Sequence, residues 1–184
     1  MEEVWHALTD AGAIKKWFST EAGVDAPGEG GKIFFAWGED FSGYSRIEIW
    51  DPPHRLRTTD IKETREETQY EGSASSPLTT PLSVDYYLET KGGGTVLRLV
   101  HSGFGDGAEW DDEYDAIYRG WGLFLINLRH FLERHRHDDS QHAWIQFPFP
   151  VSREEAWQRL VGPEGLAAEG RLEGLEHGDP LSVT

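Results

Sequence analysis

The sequence contains no cysteine. Thiol catalysis, iron–sulfur clusters and disulfides are therefore excluded. A reducing cytoplasm suits such a chain, and the cytoplasm is where we expect it. No apolar run approaches the roughly 20 residues of a membrane span, so no membrane insertion is expected. The first residues do not set a basic segment before an apolar one, so no signal peptide is expected. Basic side chains are few: 17 Lys and Arg stand against 33 Asp and Glu, for a net charge of −16. That charge repels phosphate backbones, which makes nucleic acid and anionic membranes poor partners. The acids are spread along the chain and read as a solvated surface. Motifs of nucleotide and hydrolytic chemistry are also missing. Gly30-Gly31-Lys32 lacks the earlier glycine and the following Ser or Thr of a phosphate loop. There is no G-x-S-x-G elbow, no H-E-x-x-H and no dinucleotide fingerprint. We assign no catalytic residue, no metal and no cofactor.

What is present is a folded composition. The 184 residues are 38% hydrophobic, enough for one core and part of a second. The dominant stretch is 109–137. Trp110, Tyr114, Ile117, Tyr118, Trp121, Phe124, Leu125, Leu128, Phe131 and Leu132 recur at steps of three and four, one face of a long amphipathic helix. Acids fill its first turn and bases its last, which complements the helix dipole. Gly120 and Gly122 flank Trp121, and we expect them to relieve crowding or admit another backbone.

Ahead of this helix, Val4, Trp5 and Leu8 predict a short helix over 1–10, and a second is expected over 13–18. Residues 23–31, rich in glycine, read as a turn-rich connection. Strands are predicted over 32–37, 43–50 and 55–61. In 43–50 the alternation places Tyr44, Arg46, Glu48 and Trp50 on one side and Ser45, Ile47 and Ile49 on the other. Asp51-Pro52-Pro53-His54 is a turn. Residues 63–81 read as a long polar loop. Two further strands, 82–90 and 95–101, flank the triple glycine 92–94 that a tight hairpin can use. Helices, a meander of about five or six strands and a closing helix make an α+β fold with an antiparallel sheet.

These residues resemble a known superfamily. Glu3-Val4-Trp5-His6-Ala7-Leu8-Thr9-Asp10 with Ile14 and Trp17-Phe18 is similar to the opening helices of SRPBCC (START-like) proteins. The branch it looks most like is named after the activator of the heat-shock-protein-90 ATPase. Strand 44–49 before Asp51-Pro52-Pro53, strand 96–101, and Gly120-Trp121 with Leu125, Leu128, Leu132 and Glu133 extend the likeness over about 2–136. The resemblance implies a helix-grip fold, a curved antiparallel β-sheet wrapped around a long C-terminal α-helix with a cavity between them. It also implies binding of hydrophobic small molecules or lipids. Members of that superfamily begin with an edge strand, and here Met1 leads directly into the first helix.

A second, partial copy follows. Glu154-Glu155-Ala156-Trp157-Gln158-Arg159-Leu160 repeats Glu2-Glu3-Val4-Trp5-His6-Ala7-Leu8 in register, and Leu166 falls where Ile14 does. Before it, Ala143, Ile145, Phe147 and Phe149 alternate with Trp144, Gln146 and Pro148, a strand pattern. We therefore expect 1–137 to be a helix-grip domain lacking its first edge strand and 138–184 a partial second repeat. Its strand would complete the first sheet, or that of a second copy in a homodimer formed by strand exchange.

Candidate chemistry is sparse. Asp111, Asp112, Glu113 and Asp115 read as dipole compensation. His135, His137 and His142, near Asp138 and Asp139, trail off a helix end, whereas metal ligands must converge to about 2 Å. The aromatic inventory, eight Trp, nine Phe and six Tyr, points to a wall for an apolar ligand. Trp17, Phe35, Trp37, Tyr86, His101, Tyr118, Trp121 and Leu125 form the expected ligand-binding set. The first functional expectation is a protein that binds a hydrophobic or aromatic small molecule. A chaperone cofactor or other protein-binding module is the alternative. An enzyme of cyclase or hydrolase type is third, because it needs a buried acid–base pair that the sequence does not display.

Overall fold

The computed structural model describes residues 1–38, 41–61, 81–140, 150–162 and 165. The expected loop over 63–81, apart from Pro81, and the expected strand over 143–149 lie outside the described residues. The chain divides into two compact units, Met1–Trp144 and Ile145–Thr184.

The first unit opens with α1 (Glu2–Thr9) and α2 (Ala11–Ile14). Helix α2 begins and ends earlier than expected, because the Asp10 carboxylate accepts a 2.8 Å bond from the Ala13 backbone N–H and starts the helix there. Six strands follow: β1 (Glu21–Asp25), β2 (Lys32–Trp37), β3 (Phe41–Asp51), β4 (Arg55–Ile61), β5 (Ser83–Lys91) and β6 (Gly94–Ser102). They form one curved antiparallel sheet in chain order, β1 to β6. Helix α3 (Asp111–Arg134) follows a 3₁₀ turn, Ala108–Trp110. This is the expected α+β helix-grip architecture.

Two further expectations need correction. The glycine-rich connection is shorter than predicted, since β1 pairs with β2 from Glu21↔Ala36 to Asp25↔Lys32. Glu21-Ala22-Gly23-Val24-Asp25 carries little strand propensity of its own, and its conformation comes from the ladder it completes. The alternation of β3 also breaks. Ile47 faces Thr58, but Ile49 faces Arg57 and Trp50 faces Leu56, so Glu48 is an extra residue in a bulge. The bulge turns Trp50 onto the core face, where its ring meets Trp5 edge-on at 5.1 Å. By contrast, the triple glycine behaves as its composition implies. Gly92 and Gly93 take φ of 59° and 81°, the left-handed region that the β5–β6 hairpin uses.

The core lies between the sheet and the helices. Trp5, Leu8, Ile14 and Trp17 from the opening segment meet Ile33, Ile47, Leu56 and Leu88 from the sheet and Leu128 and Phe131 from α3. Among the described residues, the other face of the sheet carries one buried acid. Asp85 accepts bonds from Arg55 at 2.7 Å and Arg57 at 2.9 Å, which satisfy both of its oxygens. In the second unit, α4 (Arg153–Val161) is capped by the Ser152 hydroxyl, which accepts a 3.1 Å bond from the Glu155 N–H.

Candidate functional site

The site is built around Phe18, which follows α2 and carries no polar group of its own. Its ring lies 5.2 Å from Trp17, 5.5 Å from Phe35, 4.9 Å from Trp37, 5.7 Å from Trp121 and 4.7 Å from Phe124. Phe18 therefore touches both β2 and α3 and occupies the space between sheet and long helix. Two of its neighbours are pinned by their indole N–H groups. Trp17 donates to the Ala7 carbonyl at 2.9 Å and Trp37 to the Phe18 carbonyl at 2.7 Å. Burying an indole N–H without such a partner would be costly.

A void of about 40 Å³ remains beside Phe18. Leu8, Ile14, Trp17, Phe18, Phe35, Leu56 and Tyr86 supply apolar wall, and Ser45 and Thr58 supply hydroxyls. It has room for a water molecule or two and is far below the ~300 Å³ of a small-molecule pocket. Its position also differs from the expectation. The void is bounded by α1, α2 and the sheet, and no residue of α3 lines it. Phe18 fills the space under α3 that would otherwise join it.

Ser45 and Thr58 form the polar edge, and Asp60, which does not line the void, accepts a 2.8 Å bond from the Ser45 hydroxyl. Burial pushes its pKa above the usual carboxylate value, and the Ser45 bond partly opposes that. Burial, with the Asp60 charge adding to it, raises the Tyr86 pKa above the ordinary phenol value. Across the cluster, His101 Nδ1 accepts a 2.9 Å hydrogen bond from the Trp121 indole. Burial lowers the His101 pKa to about 4. Tyr86 and His101 are thus biased toward their neutral forms by burial, and Asp60 is shifted the same way although it stands at an exposed position of β4.

The expected site residues divide as follows. Trp17, Phe35 and Tyr86 line the void. Trp37 and Trp121 pack behind Phe18. His101 binds Trp121, and Leu125 packs against the core. Tyr118 stands apart from the void: it is 68% exposed and stacks on Tyr114 at 6.3 Å. Sequence reasoning missed Phe18, Ser45, Thr58 and Asp60. The last two were within reach, because counting by twos from Leu56 along β4 places Thr58 and Asp60 on its face. His135 and His137 are exposed, and His135 Nδ1 lies 2.7 Å from Asp138; His142 lies outside the described residues.

Residues 1–133 match the family described as activator of Hsp90 ATPase homolog 1-like protein. Solved structures agree on the fold. Protein MLL2253 from Mesorhizobium loti is 21% identical, with 73% of this chain and 89% of that chain covered and a TM-score of 0.57. The Aha1 dimer from Colwellia psychrerythraea is 22% identical, over 72% of this chain and 87% of that one, with a TM-score of 0.55. DynU16, a protein of the dynemicin biosynthetic locus, is 19% identical with a TM-score of 0.55. That likeness covers 98% of this chain, which spans 64% of DynU16. No curated protein shows significant similarity to the chain.

Proposed function

We propose that this chain, which belongs to the activator of Hsp90 ATPase homolog 1-like family, binds a small apolar or aromatic molecule between its sheet and the helices that close it. The observation that carries this reading is the ring-walled void with a polar edge. A ligand gains dispersion contacts with the rings, and Ser45, Thr58 and Tyr86 offer hydrogen bonds. Phe18 is the gate. Its rotation joins the void to the space under α3, where Trp121 and Phe124 wait. Phe18 makes no side-chain hydrogen bond, so its rotation breaks only ring contacts.

The test is titration of the folded protein with 1-aminoanthracene, read by fluorescence. Saturable binding is expected. Phe18→Ala should tighten it by enlarging the void, as emptied apolar cavities accept aromatic guests. Trp121→Ala should weaken it about tenfold or more, and Trp121→Phe less so. Binding that neither position affects would place the probe elsewhere and end this reading.

A protein-binding role is the second reading. Its support is the family match and the dimeric state named for the Colwellia relative. Pull-down from a cytoplasmic extract that recovers no chaperone, with a monomeric mass in solution, would remove it. We also propose that residues 138–184 are the opening of a second repeat, supported by the repeated sequence and by coverage of this chain nearly to its end by DynU16. Truncation after His137 is then expected to lower the melting temperature or solubility if the 143–149 segment completes the first sheet.

A further inference from the structure

His101 leaves one atom unmatched. The Trp121 indole nitrogen can only donate, so the 2.9 Å contact makes His101 Nδ1 the acceptor. In a neutral imidazole the proton then sits on Nε2. That Nε2 is buried and has no hydrogen-bond partner among the described residues. A buried N–H in this state has given up its water and received nothing in return. The burial that lowers the His101 pKa to about 4 keeps the ring neutral and the donor in place near pH 7.

The surroundings say what could match it. Phe104 packs on His101 at 5.2 Å, Tyr114 on Phe104 at 5.3 Å, and Tyr118 on Tyr114 at 6.3 Å. Tyr114 and Tyr118 are exposed, although they share the helical face of Trp121. A row of rings therefore runs from solvent to the enclosed donor. We propose that this row is a subsite for a neutral, planar aromatic ligand bearing a carbonyl oxygen, and that the oxygen accepts the His101 Nε2–H. Rings suit the planar body. A carbonyl suits a single uncharged donor, and a chain of net charge −16 disfavours an anion in that place. The subsite deepens the small-molecule reading above and rests on it.

The experiment uses two probes of one shape, 2-acetylnaphthalene and 2-isopropenylnaphthalene, in which a methylene replaces the oxygen. Each is titrated into the full chain by calorimetry. The ketone is expected to bind about tenfold tighter. His101→Gln presents an amide N–H near the Nε2 position and should keep the preference. His101→Asn presents its oxygen near the Nδ1 position, holds Trp121, and should lose it. A ¹⁵N spectrum of the wild-type imidazole adds a readout without mutation, with the His101 Nε2 resonance moving on addition of the ketone and not of the alkene. Equal affinities in the wild type, a preference that survives in His101→Asn, or an unmoved resonance would overturn the anchor and leave small-molecule binding standing. Failure of both probes to bind would overturn both.

Discussion

Helix α1 carries Glu2-Glu3-Val4-Trp5 and α4 carries Glu154-Glu155-Ala156-Trp157, yet their apolar faces have different fates. Trp5 is 7% exposed and Leu8 4%, whereas Trp157 is 58% exposed and Leu160 42%. The local signals match: acids in the first turn and an apolar pair three residues apart. The difference lies in what each face meets. Trp5 has Trp50 on the sheet and the α3 residues Leu128 and Phe131 in the same cluster. An amphipathic helix gains its stability from such a surface more than from its own propensity. A repeated sequence therefore repeats a helix but does not by itself repeat a buried core.

The contrast can be tested most strongly at the two tryptophans. Trp5→Ala is expected to cost about 4 kcal/mol, and Trp157→Ala less than about 1 kcal/mol. Urea unfolding measures both, and comparable losses would show that α4 packs as α1 does.

Acid tests the enclosed side of the comparison. Burial lowers the folded His101 pKa from the ordinary imidazole value of 6.5 to about 4. Above pH 6.5 both states are neutral and its contribution is complete. As pH falls from 6.5 to 4 the unfolded state takes the proton first, so about 3 kcal/mol of stability is lost. Asp60 has the opposite sign, since its raised folded pKa favours the folded state as it becomes protonated. The difference in unfolding free energy between wild type and His101→Gln across that window isolates the histidine, and a constant difference would contradict its burial.

The caps give a smaller effect of similar chemistry. Asp10→Ala should lower global stability by about 1 kcal/mol, because α2 belongs to the packed unit. Ser152→Ala should weaken α4 by a similar amount, read locally as faster amide exchange in 153–161. The smallest effect is expected in α3. A Cβ at Gly122 would meet nothing within 4 Å, and at Gly120 only Phe124 at 3.8 Å. The expected crowding around Trp121 is therefore not found at these glycines. Gly122→Ala should stabilise by somewhat under 1 kcal/mol in thermal unfolding, and a loss would reveal a neighbour there.

The elements legible from sequence were those whose signal is local and long. The stripe from Trp110 to Leu132 sustains a helical period, and strands β5 and β6 are marked by the glycines between them. Strand β1 was not legible, because five residues of weak propensity take their conformation from β2. Nor was the face of Trp50, since one bulged residue reverses the parity beyond it. At the site, alternation could have pointed to Asp60. Nothing local distinguishes Phe18, a plug touching both sheet and helix, from any other buried phenylalanine.

By itself the sequence determined the order of the helices and of strands β2 to β6, the acidic surface and the aromatic supply. These follow from periodicity, charge and composition, which each short stretch carries on its own. Only the tertiary structure decided which rings meet, that Phe18 leaves a void of about 40 Å³, that Tyr118 faces solvent, and that the His101 N–H is unmatched among the described residues. Those outcomes depend on the three-dimensional distance between residues far apart in the chain. Close packing sets that distance jointly for all of them.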